Sequence, residues 1–313
     1  MTEVERPATV PAHRFSVAPM LDCTDRHFRV LMRQISCRAL LYTEMVVAQA
    51  LHHTNRRDRL LDFDSIEHPI ALQVGGDDPN LLADAARLAL DWGYDEINLN
   101  VGCPSQRVQA GNFGACLMAD PDLVARCVEA MGQASALPVT VKHRIGIDDL
   151  DNDTLLTAFV DRVAEAGAQR FSVHARKAWL EGLDPKQNRT IPPLQHERVV
   201  ALKQRRPELL IELNGGLETP ADCLVALDEC DGAMVGRAAY AHPLRWADMD
   251  HLIYGEAPRQ LLASDVVEGL IPHAAQHLHR GGRLWDLCRH LIQLVEGVPV
   301  SYTHLRAHET TSD

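Results

Sequence analysis

Asn98-Leu99-Asn100-Val101-Gly102-Cys103-Pro104-Ser105 is the stretch from which the rest of this chain can be read. It follows a helical segment ending in Asp91-Trp92-Gly93. The run from Asp95 to Asn100 is short and apolar at its centre, and so reads as a buried strand that Gly102 and Pro104 bring to a stop. A cysteine held between a glycine and a proline at a strand end cannot be absorbed into a regular element. Cys103 is therefore presented to whatever lies above the sheet. Cysteines serve more often as small core hydrophobes than as catalysts, and this segment alone leaves both roles open.

The same unit recurs along the chain. Short apolar runs at Phe15–Ala18, Ala39–Thr43, Ile70–Val74, Glu96–Leu99, Pro138–Lys142, Arg170–Val173, Leu209–Leu213 and Gly232–Val235 alternate with segments of helical period. Those segments include Asn80–Trp92, Pro121–Gln133, Thr154–Ala166 and Thr219–Asp228. Eight strands joined by helical crossovers over about 240 residues predict an α/β fold, a (β/α)8 TIM barrel. The alternative, a doubly wound open sheet, wants a Gly-x-Gly-x-x-Gly turn after its first strand. Here that strand ends in Ala18-Pro19-Met20.

In a barrel the chemistry sits at the C-terminal strand ends. There the sequence offers Pro19 and Met20, Glu44, Gln73, Asn100 with Cys103, Lys142, and His174 with Arg176. Strand seven ends in Asn214-Gly215-Gly216 and strand eight in Gly236-Arg237. Each alone is compatible with a turn cap or a solvated edge; their recurrence in nearly every unit, above strands that read as largely apolar, predicts a functional rim. Glycines after strands seven and eight commonly cradle a phosphate, and Arg237 adds charge. A flavin mononucleotide fits this layout, with its phosphate under those two strands and Lys142 near the end of the ring that gathers charge on reduction. A sugar phosphate suits the glycines equally well but explains Cys103 and Gln73 less well.

Taken together, Ala18-Pro19-Met20 with Asp22 and Asp25, Gln73-Val74-Gly75-Gly76, Asn98 through Ser105, Lys142-His143-Arg144-Ile145-Gly146, His174-Ala175-Arg176, Asn214-Gly215-Gly216 and Gly236-Arg237 closely resemble the tRNA-dihydrouridine synthases. The resemblance runs from about Phe15 to about Pro299. The segment Gly182 to Arg189, followed by Ile191-Pro192-Pro193-Leu194, looks like the A-type bacterial subfamily.

That resemblance implies a specific chemistry. The family reduces the C5–C6 double bond of a tRNA D-loop uridine with FMN, which NADPH recharges; the A-type likeness suggests positions 20 and 20a. Hydride delivered to C6 leaves carbanion character at C5, so a proton donor is needed there. A neutral thiol suits the task, since an unperturbed cysteine has a pKa of roughly 8.5, and Cys103 matches the family's acid. Carried over by position, Pro19 and Met20 lie against the flavin, and Gln73 and Lys142 bond its ring. Asn214, Gly215, Gly216, Gly236 and Arg237 hold the phosphate and ribityl chain. Asn100 meets the extruded uracil, and His174 and Arg176 stand at the border between flavin and base, where cofactor and RNA contacts are shared between the two and the sequence does not divide them. The pairs Gly75-Gly76 and Gly281-Gly282 are read as turns.

The chain has 313 residues and a formal charge of −12, whereas nucleic-acid binders usually carry basic patches. Basic residues gathered on one surface would reconcile the two. Lys177, Lys186 and Arg189 fall in one predicted mouth loop, Arg29 and Arg33 come early, and Arg56-Arg57-Asp58-Arg59 reads as a solvated face. Beyond about Ala257 the pattern turns to helices only, at Leu261–Gly269, Ile271–Arg280 and Leu284–Leu294, with Arg280, Arg283 and Arg289 among them. The division expected is an N-terminal tail over 1–14, the barrel over 15–250, a small all-helical tRNA-binding domain over 257–300, and a tail over 301–313. Ser301 to Asp313 has no amphipathic repeat and departs from the family's Gly/Arg-rich ending, so it is read as non-native and the helical domain as truncated.

Hydrophobic content of 46% is ample for a barrel core. Eight cysteines without a Cys-x-x-Cys pair or Cys/His ligand spacing argue against a metal centre and a disulfide framework. With no secretory leader and no apolar span near 18 residues, a cytoplasmic protein is expected. Two other readings stand beside the main one: an FMN enzyme for free pyrimidines, of the dihydroorotate type, and a non-catalytic tRNA-binding barrel. The Gly182–Leu194 segment and the C-terminal helices count against the first; a bound flavin would exclude the second.

Overall fold

Alternation of side chains along a strand sends successive residues to opposite faces, and the computed structural model, which describes residues 10–294, uses both faces of every long strand. The strands are β1 (Phe15–Val17), β2 (Leu40–Tyr42), β3 (Ile70–Gly75), β4 (Glu96–Val101), β5 (Val139–Arg144), β6 (Arg170–His174), β7 (Leu210–Asn214) and β8 (Gly232–Val235). All pair in parallel, each with its neighbour in sequence. β1 also pairs with β8 in the register Val17↔Val235, and β2 with β3 in the register Tyr42↔Ala71, so the sheet closes on itself as a barrel. Val46–Val47 adds a two-residue strand beside the end of β3. Closure disposes of the open-sheet alternative. Expectations for residues 1–9 and 295–313, the final tail among them, lie outside the described residues.

The helices begin where side-chain caps permit. Asp78 accepts from Asn80 N ahead of helix Pro79–Asp91, Asp120 from Leu123 N ahead of Pro121–Ala134, and Asn152 from Leu155 N ahead of Asp153–Glu165. Thr219 and Asp222 form a reciprocal box at Pro220–Glu229. Proline at the first helical turn costs nothing, because its missing N–H would lack a partner there anyway. Leu72, Val74, Ile97, Leu99, Val141, Phe171 and Ile211 face outward and form one apolar core with these helices.

The inner face overturns one expectation. Below the rim the barrel is polar: Gln73, Glu96, Asn98, Thr140, Arg170, Ser172 and Glu212 are all buried inside it, beside a small apolar group of Ala18, Leu40, Tyr42, Ala71 and Met234. β4 alternates strictly, with Glu96, Asn98 and Asn100 inward and Ile97, Leu99 and Val101 outward. The pattern was visible, but its polar half faces the barrel axis rather than solvent.

Three further expectations change. Leu261–Gly269 and Ile271–Arg280 form one helix, Ala263–His279, with Pro272 inside it. Proline removes a hydrogen bond there, but Val266 and Leu270 are buried on either side of Gly269, which abuts Gln34 of helix Arg26–Ile35, and that packing keeps the helix continuous. Arg29 and Arg33 are not surface cations: both are buried, Arg29 Nε lying 2.5 Å from Glu67 Oε2 and Arg33 Nη2 donating to the Glu67 and Pro69 carbonyls. Gly75 is the last residue of β3, with Phe113 and Met45 against it, rather than part of a turn. Among the described residues no helix is long and apolar enough to cross a membrane, and no group of three or more His, Cys, Asp or Glu is placed to hold a metal ion.

Candidate active site

β4 delivers Asn100 to the mouth, and the loop after it turns back over Asn100. The Asn100 Oδ1 atom accepts from both Gly102 N (3.1 Å) and Cys103 N (3.0 Å), so one side chain fixes the backbone that carries the thiol. The thiol sulfur lies 3.6 Å from Ser105 Oγ and is partly exposed. Gly114, at φ +78°, sits so close to the Cys103 carbonyl that a Cβ there would fall 2.5 Å from its oxygen. Asn100 Nδ2 donates to Gln73 Oε1 at 2.9 Å, which joins β3 and β4 across the floor. Both lone pairs of the Asn100 oxygen are in use, leaving one N–H to offer a ligand.

Opposite, Lys142 Nζ donates to Asn214 Oδ1 at 2.9 Å, and Asn214 Nδ2 in turn to the Met234 carbonyl at 2.8 Å. Burial, with Arg144 adding, lowers the Lys142 pKa to about 8. Burial likewise drives the His174 pKa well below its ordinary value, and the cations Arg144, Lys142, Arg176 and Arg237 push it further. A neutral imidazole ringed by four cations is a surrounding suited to an anion. Gly215 (φ +105°) and Gly216 (φ +72°) are in the left-handed region and pressed against His174 and Leu194; a Cβ would lie 2.5 and 2.3 Å from those side chains. At Gly236, by contrast, a Cβ would meet only Met20 Sδ (3.7 Å) and Ala18 Cβ (3.8 Å), both at ordinary van der Waals distance. The Met20 backbone is held in place by Thr24, whose Oγ1 accepts from Met20 N at 2.9 Å, and Ala18 and Pro19 link it to the end of β1.

The mouth loop closes one side. Arg176 Nη1 donates to the Pro192 carbonyl, and Arg237 Nη2 to the Arg189 carbonyl at 3.3 Å. Lys186 and Arg189 are exposed on this loop. Arg280 and Arg283 stand elsewhere, on the C-terminal helices: Arg280 lies 3.7 Å from Asp62 and Arg283 3.3 Å from Asp286, both largely exposed. The rim residues thus converge, and these two do not join them.

Two residues carry structure that sequence reasoning did not assign. Arg144, buried, donates to the carbonyls of Gly102 (2.9 Å), Lys177 (3.0 Å) and Asn188 (3.1 Å), tying the Cys103 loop to the mouth loop. Its place two residues beyond Lys142 on β5 was the available clue, because that spacing puts both on the inner face. Asn188, fully buried, bonds the Trp179 N–H and carbonyl and the Leu183 carbonyl, and so pins the loop internally. Nothing local marks it.

Residues 16–313 match a sequence model of the family described as dihydrouridine synthase. The chain is 56% identical over 284 residues to a protein of Synechocystis sp. named tRNA-dihydrouridine(20/20a) synthase, covering 91% of this chain and 85% of that protein. Proteins of the same name from Shewanella oneidensis (51% over 285 residues, 91% and 84% covered) and Pseudomonas aeruginosa (50% over 298 residues, 94% and 90% covered) are similar. With the family match running over most of the chain and these relatives covering nine-tenths of it, the chain belongs to the dihydrouridine synthase family, oxidoreductases that act on the uridine C=C bond.

Proposed function

We propose that this chain reduces the C5–C6 double bond of tRNA D-loop uridines at positions 20 and 20a, with FMN as cofactor, NADPH as electron donor and Cys103 as the proton donor to C5. The positions come from the names of its relatives. The observation that carries the reading is the Cys103 loop, clamped by Asn100 at the rim where Lys142, His174, Arg176 and Arg237 converge.

The residues present fit FMN. The bare backbone at Gly236, the two left-handed glycines that follow β7 and the Arg237 cation make a cradle suited to its phosphate and ribityl chain, together with Asn214. Pro19 and Met20 would back the ring, and Gln73 and Lys142 would bond its polar edge. When bound, FMN supplies the two electrons for the reduction and NADPH restores them. Lys142, cationic below its pKa of about 8, would stabilise charge gathering on the ring. His174, kept neutral, can bond without adding charge. With its oxygen occupied, Asn100 can offer uracil only an N–H, and so would face a carbonyl oxygen of the base. Cys103 gives its proton to C5, the carbon left electron-rich by addition at C6, and recovers it from solvent.

A uridine in folded tRNA must be extruded to reach the floor of a barrel mouth, at a cost of a few kcal/mol that backbone contacts have to offset. Lys186 and Arg189 at the mouth and Arg280 and Arg283 on the helical segment, read as a small tRNA-binding domain, are the exposed cations assigned to that task. The test is Cys103→Ala. It should keep flavin and its reduction by NADPH but lose about 10²–10⁴-fold in dihydrouridine formation, the usual contribution of a general acid. Near-normal product formation would remove Cys103 from the role.

A further inference from the structure

The Asn100 amide that clamps the Cys103 loop is the top of a hydrogen-bonded line running down the barrel axis. Asn100 Nδ2 donates to Gln73 Oε1 (2.9 Å), Gln73 Nε2 to Asn98 Oδ1 (2.8 Å), Asn98 Nδ2 to Thr140 Oγ1 (2.9 Å), and the Thr140 hydroxyl to Glu96 Oε1 (2.5 Å). Glu96 Oε2 is held by Arg170 Nη2 at 2.6 Å. Every member is buried.

Both ends of the line are chemically one-directional. An ion-paired carboxylate can only accept, so Thr140 must donate to it and accept from Asn98. Asn98 then turns its oxygen to Gln73, Gln73 turns its oxygen to Asn100, and Asn100 is left with its oxygen toward the loop. At that end stand two backbone N–H groups, which can only donate. Reversing any one amide would set donor against donor or acceptor against acceptor in a dry interior, where an unpaired polar group costs most.

We propose that Glu96, Thr140 and Asn98 are positioning residues for the reaction: they act through Gln73 and Asn100 to set the orientation of the Cys103 loop and to leave the floor of the mouth with N–H groups to offer a ligand. The part concerning catalysis rests on Cys103 being the proton donor. None of the three reaches the mouth itself; each works by fixing the polarity of the amide above it.

The experiment compares Thr140→Val, which keeps the shape but ends the relay, with Thr140→Ser, which restores the hydroxyl. In the full-length, flavin-loaded chain, alkylation by iodoacetamide is followed residue by residue by mass spectrometry, with the buried Cys127, Cys223 and Cys230 as internal reporters of the fold. Thr140→Val should alkylate Cys103 several-fold faster with those three unchanged, and lower kcat for uridine reduction by up to about 10²-fold. Thr140→Ser should return both to the parent values. An unchanged Cys103 rate in Thr140→Val, or the same defect in Thr140→Ser, overturns the proposal. If Thr140→Val opens the three buried cysteines as well, Asn98→Ala is judged by the same two criteria. Should that also open them, the line holds the barrel together rather than aiming the loop, and the proposal fails. The alkylation result does not depend on what Cys103 does chemically, so a Cys103→Ala chain that still made dihydrouridine would remove the acid assignment and leave the relay standing.

Discussion

Two of the regions in which this molecule buries polar side chains are built from different chemistry. Inside the barrel, Arg170 faces two carboxylates, with Nη2 at 2.6 Å from Glu96 and Nε at 2.7 Å from Glu212. Burial works against its charge, but Glu212 and Glu96 outweigh that and hold its pKa well above the ordinary arginine value. At the seam where helix Arg26–Ile35 meets the C-terminal helices, histidines take that place. His27 Nδ1 is 2.9 Å from His273 Nε2, its ring lies edge-on to His277 at 4.4 Å, and His290 lies 3.0 Å from Asp25. Burial lowers the His27 pKa to about 4, with His277, His273 and Arg26 adding and Asp25 opposing. Burial likewise lowers that of His273. Arg170 keeps its charge across the neutral range, whereas burial holds His27 and His273 at the seam toward the neutral form, which they give up only as the pH falls.

The largest test breaks the inner network. Arg170→Met leaves Glu96 and Glu212 buried without their cation, and should cost about 3–5 kcal/mol in chemical denaturation of the whole chain, as removal of one partner of a buried pair does. A loss of less than about 1 kcal/mol would show the carboxylates are not held as charges.

Acid sharpens the contrast. A histidine whose folded pKa is depressed takes up a proton more readily when unfolded, so the stability it contributes is complete above about pH 6.5 and is lost as the pH falls toward about 4. For His27, allowing for the solvent that reaches it, this amounts to about 1–2 kcal/mol. His143, buried in the barrel wall against Phe159 and Phe171 and lowered by burial to about 4, contributes in the same window. The melting temperature of His27→Phe should therefore fall less steeply between pH 6.5 and 4 than that of the parent; parallel curves would dissociate the seam from the acid response.

Asp25 is a smaller break in the seam. It caps helix Arg26–Ile35 by accepting from His27 N and Phe28 N, both at 2.9 Å, and pairs with Arg289. Burial opposes its charge, but hydrogen bonds from His290, Phe28 N and Arg289 hold its pKa well below the usual carboxylate range. Asp25→Ala should lower stability by about 1–2 kcal/mol without altering flavin content. Loss of flavin from the purified variant would show that the seam and the mouth are coupled.

The smallest effects belong to the surface cations. Lys186→Ala, Arg189→Ala, Arg280→Ala and Arg283→Ala should each reduce the slope of log affinity for tRNA against log salt by roughly one unit. Arg289→Ala should instead register in the melting temperature, because its guanidinium is committed to Asp25. A full unit of slope lost in Arg289→Ala would place the RNA on the seam.

What the sequence determined by itself is local. Apolar runs of strand length, their glycine and proline stops and the helical segments between them placed all eight barrel strands to within two residues, and with them the rim residues from Met20 to Arg237, because strand ends and turns are set by backbone preferences acting over a few positions. Tertiary structure alone decided the rest. Glu96 meets Thr140 and Arg170 across 44 and 74 positions of chain, so which inward polar residue finds which partner exists only once the barrel has closed. For the same reason Arg29 and Arg33, indistinguishable in sequence from surface cations, are buried against Glu67, and Pro272 lies inside a helix that packing against Gln34 holds together. Charge and proline carry a local meaning that long-range burial can override, whereas the period of a strand against a core cannot be changed without undoing the core itself.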